Sequence, residues 1–257
     1  MALCVGLIAL AGCGKGRDWR QTPAPAPVAA DAEAGYVRPP QVLSAQRGTD
    51  GVVVLTGKAE PNSRVRLLTP DGSAYGGTVT AAGVWSMPTP PGIGIYGLSE
   101  DLGGRIVQGE GYVVVLTQPG RPAALLRAGG GAEPLGSAPG GLSIAAADFD
   151  TGGGTVVSGF APAGVGLRLM VDGAAAPGEV KADPGGRFFI GSPVMLRPGS
   201  HQIRVQGASQ AAAADIAVSP PGPISGSPYR ATRQGAAWRV DWTTPGGGVQ
   251  TSLILDP

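Results

Sequence analysis

The sequence is poor in the residues that carry most protein chemistry. Its 257 residues include one His, two Cys and only 14% charged residues, and the 19 basic and 18 acidic side chains leave a net charge of +1. A nearly neutral chain has no strong field to steer it onto nucleic acid, so we expect no nucleic-acid partner. Both Cys lie within the first 13 residues. With so few ligands and nucleophiles, we expect no metal, no cofactor and no catalytic residue, so the protein is not expected to be an enzyme.

Glycine and proline, in contrast, are abundant, with 45 and 25 residues respectively. Such a composition is typical of low-complexity disorder, but short runs of Val, Leu and Ile recur between the turn residues. Strands at intervals of about 8 to 12 residues with turn signals between them are typical of a β-sandwich. The sequence therefore predicts an all-β protein.

An apolar run from Met1 to Gly12 ends in small residues and is followed by Cys13, the layout of a secretory signal peptide. The run is shorter than the roughly 20 residues of a spanning helix. Leu10-Ala11-Gly12-Cys13 resembles the lipobox of bacterial lipoproteins, which implies a signal peptide over 1–12 and lipidation of Cys13. No basic residue precedes the run, so we expect the true translation start upstream of Met1.

Residues 13–40 combine the lipidated Cys13 with a segment rich in proline and alanine, which should act as a semi-rigid tether. At about 3.1 Å per residue it could reach roughly 80 Å. Gly14 stands where Asp would be expected in lipoproteins kept in the inner membrane, so the resemblance implies an anchor in the outer membrane, facing the periplasm. A partner away from the lipid surface is then expected.

The chain contains an internal repeat with a period near 100 residues. Gly57-Lys58-Ala59-Glu60-Pro61 is echoed by Gly159-Phe160-Ala161-Pro162, and Gly83-Val84-Trp85 by Gly186-Arg187-Phe188. The repeated pattern resembles the bacterial immunoglobulin-like repeats of envelope and surface proteins. The resemblance implies two immunoglobulin-like β-sandwiches in tandem, over 41–118 and 142–218. The Gly/Pro-rich residues 119–141 are predicted to be a linker that lets them move relative to each other.

Residues 219–257 are predicted to form a proline-rich link and a C-terminal β-hairpin that docks on a sandwich. In this part we single out a candidate partner-binding set, because Arg and aromatic residues dominate binding hot spots. It consists of Tyr229, Arg230, Arg233, Trp238, Arg239 and Trp242. The alternative interpretation is that Trp238 and Trp242 only anchor the hairpin to a core.

Three other motifs are weaker. Gly92 to Gly97 matches the dinucleotide-binding pattern but lacks the strand and helix that its mechanism requires. Asp148 to Gly153 resembles the start of a calcium loop but lacks the bidentate Glu at position 12. His201 shares its strand face with Ile203 and Val205, which favours a packing role. The leading hypothesis is a non-catalytic envelope lipoprotein that acts as a scaffold or docking module through protein contacts. A glycan- or peptidoglycan-binding module and a hydrolase using His201 are the alternatives.

Overall fold

The computed structural model describes residues 37–117, 120–136, 138–150, 152 and 154–256, and every regular element in this part of the chain is a β-strand. The predicted signal peptide over 1–12, Cys13 and most of the tether lie outside the described residues. No helix of the described part is long and apolar enough to cross a membrane. The strands are β1 (Gln41–Arg47), β2 (Val53–Lys58), β3 (Arg64–Leu68), β4 (Ala74–Thr78), β5 (Val84–Pro88), β6 (Gly94–Leu102), β7 (Arg105–Val115), β8 (Ala123–Leu126), β9 (Glu133–Pro134), β10 (Ser143–Asp150), β11 (Thr155–Phe160), β12 (Gly166–Val171), β13 (Ala174–Ala175), β14 (Val180–Lys181), β15 (Arg187–Ser192), β16 (Gly199–Gln206), β17 (Ala211–Val218), β18 (Tyr229–Gln234), β19 (Ala237–Thr243) and β20 (Val249–Leu255).

The repeat corresponds to two sandwiches with the same topology, which confirms the predicted fold class. In the first copy β1-β2-β5 faces β4-β3-β6-β7, and in the second copy β10-β11-β15 faces β13-β12-β16-β17, with β14 also paired to β12. All strand pairs are antiparallel, and β1 and β10 carry a register shift at corresponding places, between Val42 and Ser44 and between Ile144 and Ala146.

The repeated glycines have a steric cause. A β-carbon on Gly57 would lie 1.9 Å from the Gln41 carbonyl oxygen and 2.5 Å from the Trp85 ring. A β-carbon on Gly159 would lie 2.0 Å from the Ser143 carbonyl oxygen and 2.8 Å from the Phe188 ring. In each copy an aromatic ring therefore packs across a glycine on the neighbouring strand, which explains why both features recur together in the sequence.

Strands outside the repeat extend one sheet of each sandwich. The predicted linker over 119–141 contains β8 and β9, which continue the first sandwich beyond β7 to give the sheet β4-β3-β6-β7-β8-β9. A flexible linker is therefore the wrong description, because Ala123 to Leu126 are all buried. The C-terminal hairpin of β19 and β20 joins the second sandwich, with β20 pairing to β10 and β18 added as a third strand, to give the sheet β15-β11-β10-β20-β19-β18.

The added strands pack on each other and create a third hydrophobic core between the two sandwiches. Ile95, Val114 and Leu126 of the first sandwich share this core with Val240 and Trp242 of the second. The four sheets are thus layered as a stack with three cores, and the chain from Val37 onward forms one compact unit. The expected movement of the two copies relative to each other was wrong, because a buried apolar interface joins them.

Candidate functional site

The predicted partner-binding set lies on the antiparallel pair β18 and β19, where one face packs against the first sandwich. Tyr229 pairs with Trp242 and Arg233 with Trp238 on that face. Trp242 is only 1% exposed; its ring lies edge-on to Tyr112 with centroids 5.9 Å apart, and its Nε1 donates to Ser252 Oγ at 3.2 Å. Trp242 is therefore part of the third core and cannot contact a partner at the surface.

Arg239 is also enclosed, on the opposite face of β19. Its Nε donates to the two carboxylate oxygens of Asp241 at 3.0 and 3.1 Å, and its Nη1 and Nη2 donate to Ser219 Oγ and Ser219 O at 2.8 and 3.0 Å. The guanidinium thus fixes the start of the proline-rich link to the sheet. A role for Arg239 in partner binding was the wrong interpretation, because these bonds use its donors internally.

What we call the β18 surface consists of the remaining members of the set, Tyr229, Arg230, Arg233 and Trp238. Tyr229, Arg233 and Trp238 share one face of the strand pair, and Arg230 lies on the opposite face. Arg230 and Arg233 are exposed, whereas Tyr229 and Trp238 are half-buried. The Arg233 guanidinium lies 5.8 Å from the centre of the Trp238 ring and pairs with the Asp256 carboxylate. Partial burial raises the pKa of Tyr229. Aromatic rings beside cations at a sheet edge can contact either a protein or a sugar.

The sequence did not indicate the buried polar network between the two sandwiches. Asp148 on β10 accepts hydrogen bonds from the Ala132 N–H at 2.7 Å and from Ser252 Oγ at 2.5 Å. Gln250 Oε1 accepts from the Gly129 N–H at 3.0 Å. Because residues 129–132 belong to the first sandwich and the others to the second, the network ties the two sandwiches together. Complete burial raises the pKa of Asp148 to about 6.

Arg121 is a second buried group without an obvious sequence signal. It is 2% exposed, and its Nη1 donates to the carbonyl oxygen of Leu255 at the end of β20. Burial lowers its pKa. A charged residue in a Gly/Pro-rich segment reads as solvent-exposed in the sequence, and its burial follows only from the packing of the two sandwiches.

His201 lies near the start of β16, with both ring nitrogens engaged. Nδ1 is 2.7 Å from Asp172 Oδ2, and Nε2 is 2.7 Å from the Arg197 carbonyl oxygen. Both partners are acceptors, so both bonds can form together only on the protonated ring. The bond to Asp172 raises the pKa of His201. A ring held in this way does not present a free nitrogen to a substrate, which argues against the hydrolase hypothesis.

The other two motifs find no ligand-binding context. Residues Gly92 and Ile93 precede β6 directly, and Gly97 lies inside that strand, so no helix N-terminus follows the dinucleotide-like pattern. Among the residues that the structure describes, no group of three or more His, Cys, Asp or Glu is arranged to hold a metal ion.

No protein-family model matches the sequence, and no curated protein sequence matches it. The solved structures to which the chain is similar include the following three. The BSP domain of a biofilm-associated protein is 15% identical with a TM-score of 0.25, over 72% of this chain and 30% of that one. The chicken interferon gamma receptor α chain is 10% identical with a TM-score of 0.23, over 72% of this chain and 100% of that one. A Ca²⁺-stabilised adhesin of an Antarctic bacterium, described as binding ice, is 13% identical with a TM-score of 0.23, over 86% and 66%. Scores this low establish neither a shared family nor a shared activity.

Proposed function

We propose that this protein is a non-catalytic envelope lipoprotein that docks a protein partner. Cys13 would carry the lipid anchor in the outer membrane, facing the periplasm, and the Pro/Ala segment up to Pro40 would hold the β-sheet stack away from the bilayer. More than one acyl chain is needed for stable membrane residence. The lipobox-like residues Leu10 to Cys13 support this part of the proposal.

The observation that carries the docking role is the β18 surface. Arg233 is exposed beside half-buried Tyr229 and Trp238 at the edge of the sheet. Arg230 is exposed on the opposite face of the edge strand β18. Tyr229, Ala231 and Trp238 pack against the third core, so a partner would meet a preorganised surface. Preorganised aromatic and Arg side chains lose little conformational entropy on binding.

The anchor is tested by palmitate labelling and membrane fractionation of the wild type and Cys13→Ala, with the upstream start restored. We expect the wild type to be labelled and membrane-bound, and the variant to lose both properties. An unlabelled, soluble wild type would contradict the lipoprotein proposal.

The docking role is tested by in-cell crosslinking from a photoreactive residue at position 230. The matched control carries the same residue at position 58, since Lys58 is exposed on the first sandwich. We expect a discrete crosslinked protein from position 230 that is absent from position 58 and is reduced by Trp238→Ala. Without such a species, the docking proposal fails. Sedimentation of the purified protein with cell-wall sacculi, lost in Trp238→Ala, would instead support the glycan- or peptidoglycan-binding alternative.

A further inference from the structure

The two sandwiches differ at one equivalent sheet edge. In the first copy β7 is covered by β8, whereas its counterpart β17 ends its sheet, and no strand of the described residues pairs with its outer side. The register supports the equivalence, because Val113 pairs with Tyr96 in the first copy as Ala214 pairs with Ile203 in the second. Within the described part of the chain, the second sandwich therefore lacks the strand that completes the first.

The outer edge of β17 carries backbone groups that pair with no other strand of the described residues. At the turn that joins β16 to β17, the Gly207 N–H donates to the Gln210 carbonyl oxygen. This bond determines which residues of β17 direct their backbone groups toward β16 and which direct them outward. Residues 211, 213, 215 and 217 therefore direct their backbone groups away from β16. Gln234 Nε2 donates to the carbonyl oxygen of Ala217 at 3.1 Å, as this alternation requires.

This edge has little of the protection usual for exposed strands. Natural edges are blunted by bulges, prolines or charged side chains, especially Lys. Strand β17 pairs with β16 through eight consecutive residue pairs without a register shift, and its sequence AAAADIAV includes a single charged residue, Asp215. The edge strand β18, in contrast, carries Arg230 and Arg233. A long, flat edge with small side chains is suited to accept another strand.

A groove of about 750 Å³ follows this edge. One wall is β17, the other is the turn from Gln234 to Ala237, and the floor includes Ile144 and Leu253. The floor is apolar because Ile144 and Leu253 belong to the core of the second sandwich. Side chains on alternate residues of an added strand would cover this floor, as Ala123 and Leu125 of β8 cover the first core.

The groove also indicates the charge of its occupant. The charged residues among those that line it are Asp215 and Asp256. Asp256 already pairs with Arg233, whereas Asp215 is exposed on the outer face of the sheet. A carboxylate on the outer face of the edge favours an extended segment that is apolar on its inward side and carries Lys or Arg on its outer side.

We propose that β17 accepts an extended, basic peptide segment of a partner protein, which adds as an antiparallel strand in the place that β8 occupies in the first sandwich. That the partner is a protein rests on the proposed docking function. The proposal adds the chemistry of the segment that β17 would recognise. An edge of seven residues from Ala211 to Ala217 would pair with about five to seven residues of the partner.

The test uses the full chain with Cys13→Ala and, as the probe, a blocked peptide of sequence RPAALLR, which copies Arg121 to Arg127. At about 1 mM peptide, a concentration that detects weak binding, we expect slower hydrogen exchange of the amides of residues 211, 213, 215 and 217. The amides of β1, another edge strand, serve as the internal control and should not change. Unchanged exchange along β17 would overturn the proposal.

Two variants at one position separate the backbone from the side chain. Ala213→Pro removes an outward N–H without removing a bond to β16 and should weaken peptide binding by about tenfold. Ala213→Thr keeps that N–H and should bind within about twofold of the wild type. Thermal melts verify that both variants fold. If Ala213→Pro does not fold, the hydrogen-exchange experiment on the wild type still tests the proposal. Equal binding by two folded variants would refute strand addition.

The remaining outcomes are also decisive. A concentration-dependent dimer that Ala213→Pro abolishes would assign the edge to a second copy and overturn the peptide proposal. Peptide binding in solution without crosslinking from position 230 in cells would refute docking at the β18 surface and support strand addition at β17. Crosslinking from position 230 without peptide binding would refute only strand addition at β17.

Discussion

Replacing Trp242 by Ala tests whether the third core makes the two sandwiches unfold together. Trp242 is 1% exposed and belongs to that core. Truncating a buried Trp to Ala typically costs about 3–5 kcal/mol, and here it also removes the indole N–H that donates to Ser252. Against a typical total stability of about 5–15 kcal/mol, this is a large loss.

The assay is urea unfolding followed by hydrogen exchange in β2 of the first sandwich and β11 of the second. We expect one transition for the wild type, and for Trp242→Ala one transition shifted to lower urea in both strands. Trp85→Ala is the matched control, because Trp85 is equally buried but lies in the core of the first sandwich. In a single cooperative unit it should also lower the midpoint of both strands.

Two results would refute this reasoning. The first is a wild type in which β2 and β11 unfold at clearly different urea concentrations. The second is a Trp242→Ala variant in which the midpoint of β11 falls and that of β2 stays unchanged. Either would mean that the buried interface does not couple the sandwiches energetically.

Three further predictions concern buried or engaged groups. The pKa of Asp148 in the folded protein is raised to about 6, from 3.8 for an ordinary Asp. The free energy of unfolding should therefore fall by about 3 kcal/mol as the pH rises from about 4 to about 6. In urea titrations at a series of pH values, Asp148→Asn should abolish this fall. The pKa of His201 is raised above its usual 6.5, which gives a stabilisation that is present below pH 6.5 and lost as the pH rises through the folded pKa. In thermal melts at a series of pH values, His201→Gln should lack this loss of stability. A pH dependence equal to that of the wild type would contradict the two-bond geometry. Gly57→Ala and Gly159→Ala should each destabilise by about 3 kcal/mol or more through overpacking, measured by urea unfolding, whereas Gly191→Ala, whose β-carbon would meet nothing within 4 Å, should change little.

The repeated cores could be predicted from the sequence, because the signals that define them are local. Alternation of buried and exposed residues in β3 and β12, the turn glycines, and the glycine–aromatic pairs all recur at one period. Strands β8 and β9 could not be predicted in the same way. Ala123 to Leu126 form only a short apolar run among glycines and prolines, and their strand conformation depends on pairing with β7.

The candidate site shows the same division. The period-two pattern correctly places Trp238 and Trp242 on one face of β19 and Arg239 and Asp241 on the other. Which face is buried is decided by non-local packing, and here both are covered, one by the first sandwich and one by the proline-rich link. A charged pair covered by a loop is hard to infer from the sequence, because Arg and Asp are usually exposed.

The strands added outside the repeat explain both the rigidity of the stack and the position of its open edge. Each added element covers an edge of its own sandwich, with β8 on β7 and β20 on β10. The two added elements attach to different strands of the repeat. Each sandwich therefore keeps one edge that no strand of the described residues covers, β1 in the first and β17 in the second. Strand β1 carries a register shift and β17 does not. We therefore expect the RPAALLR peptide to add to the flat edge of β17. Slower hydrogen exchange in β1 instead would show that the flatness of an edge does not decide where a strand adds.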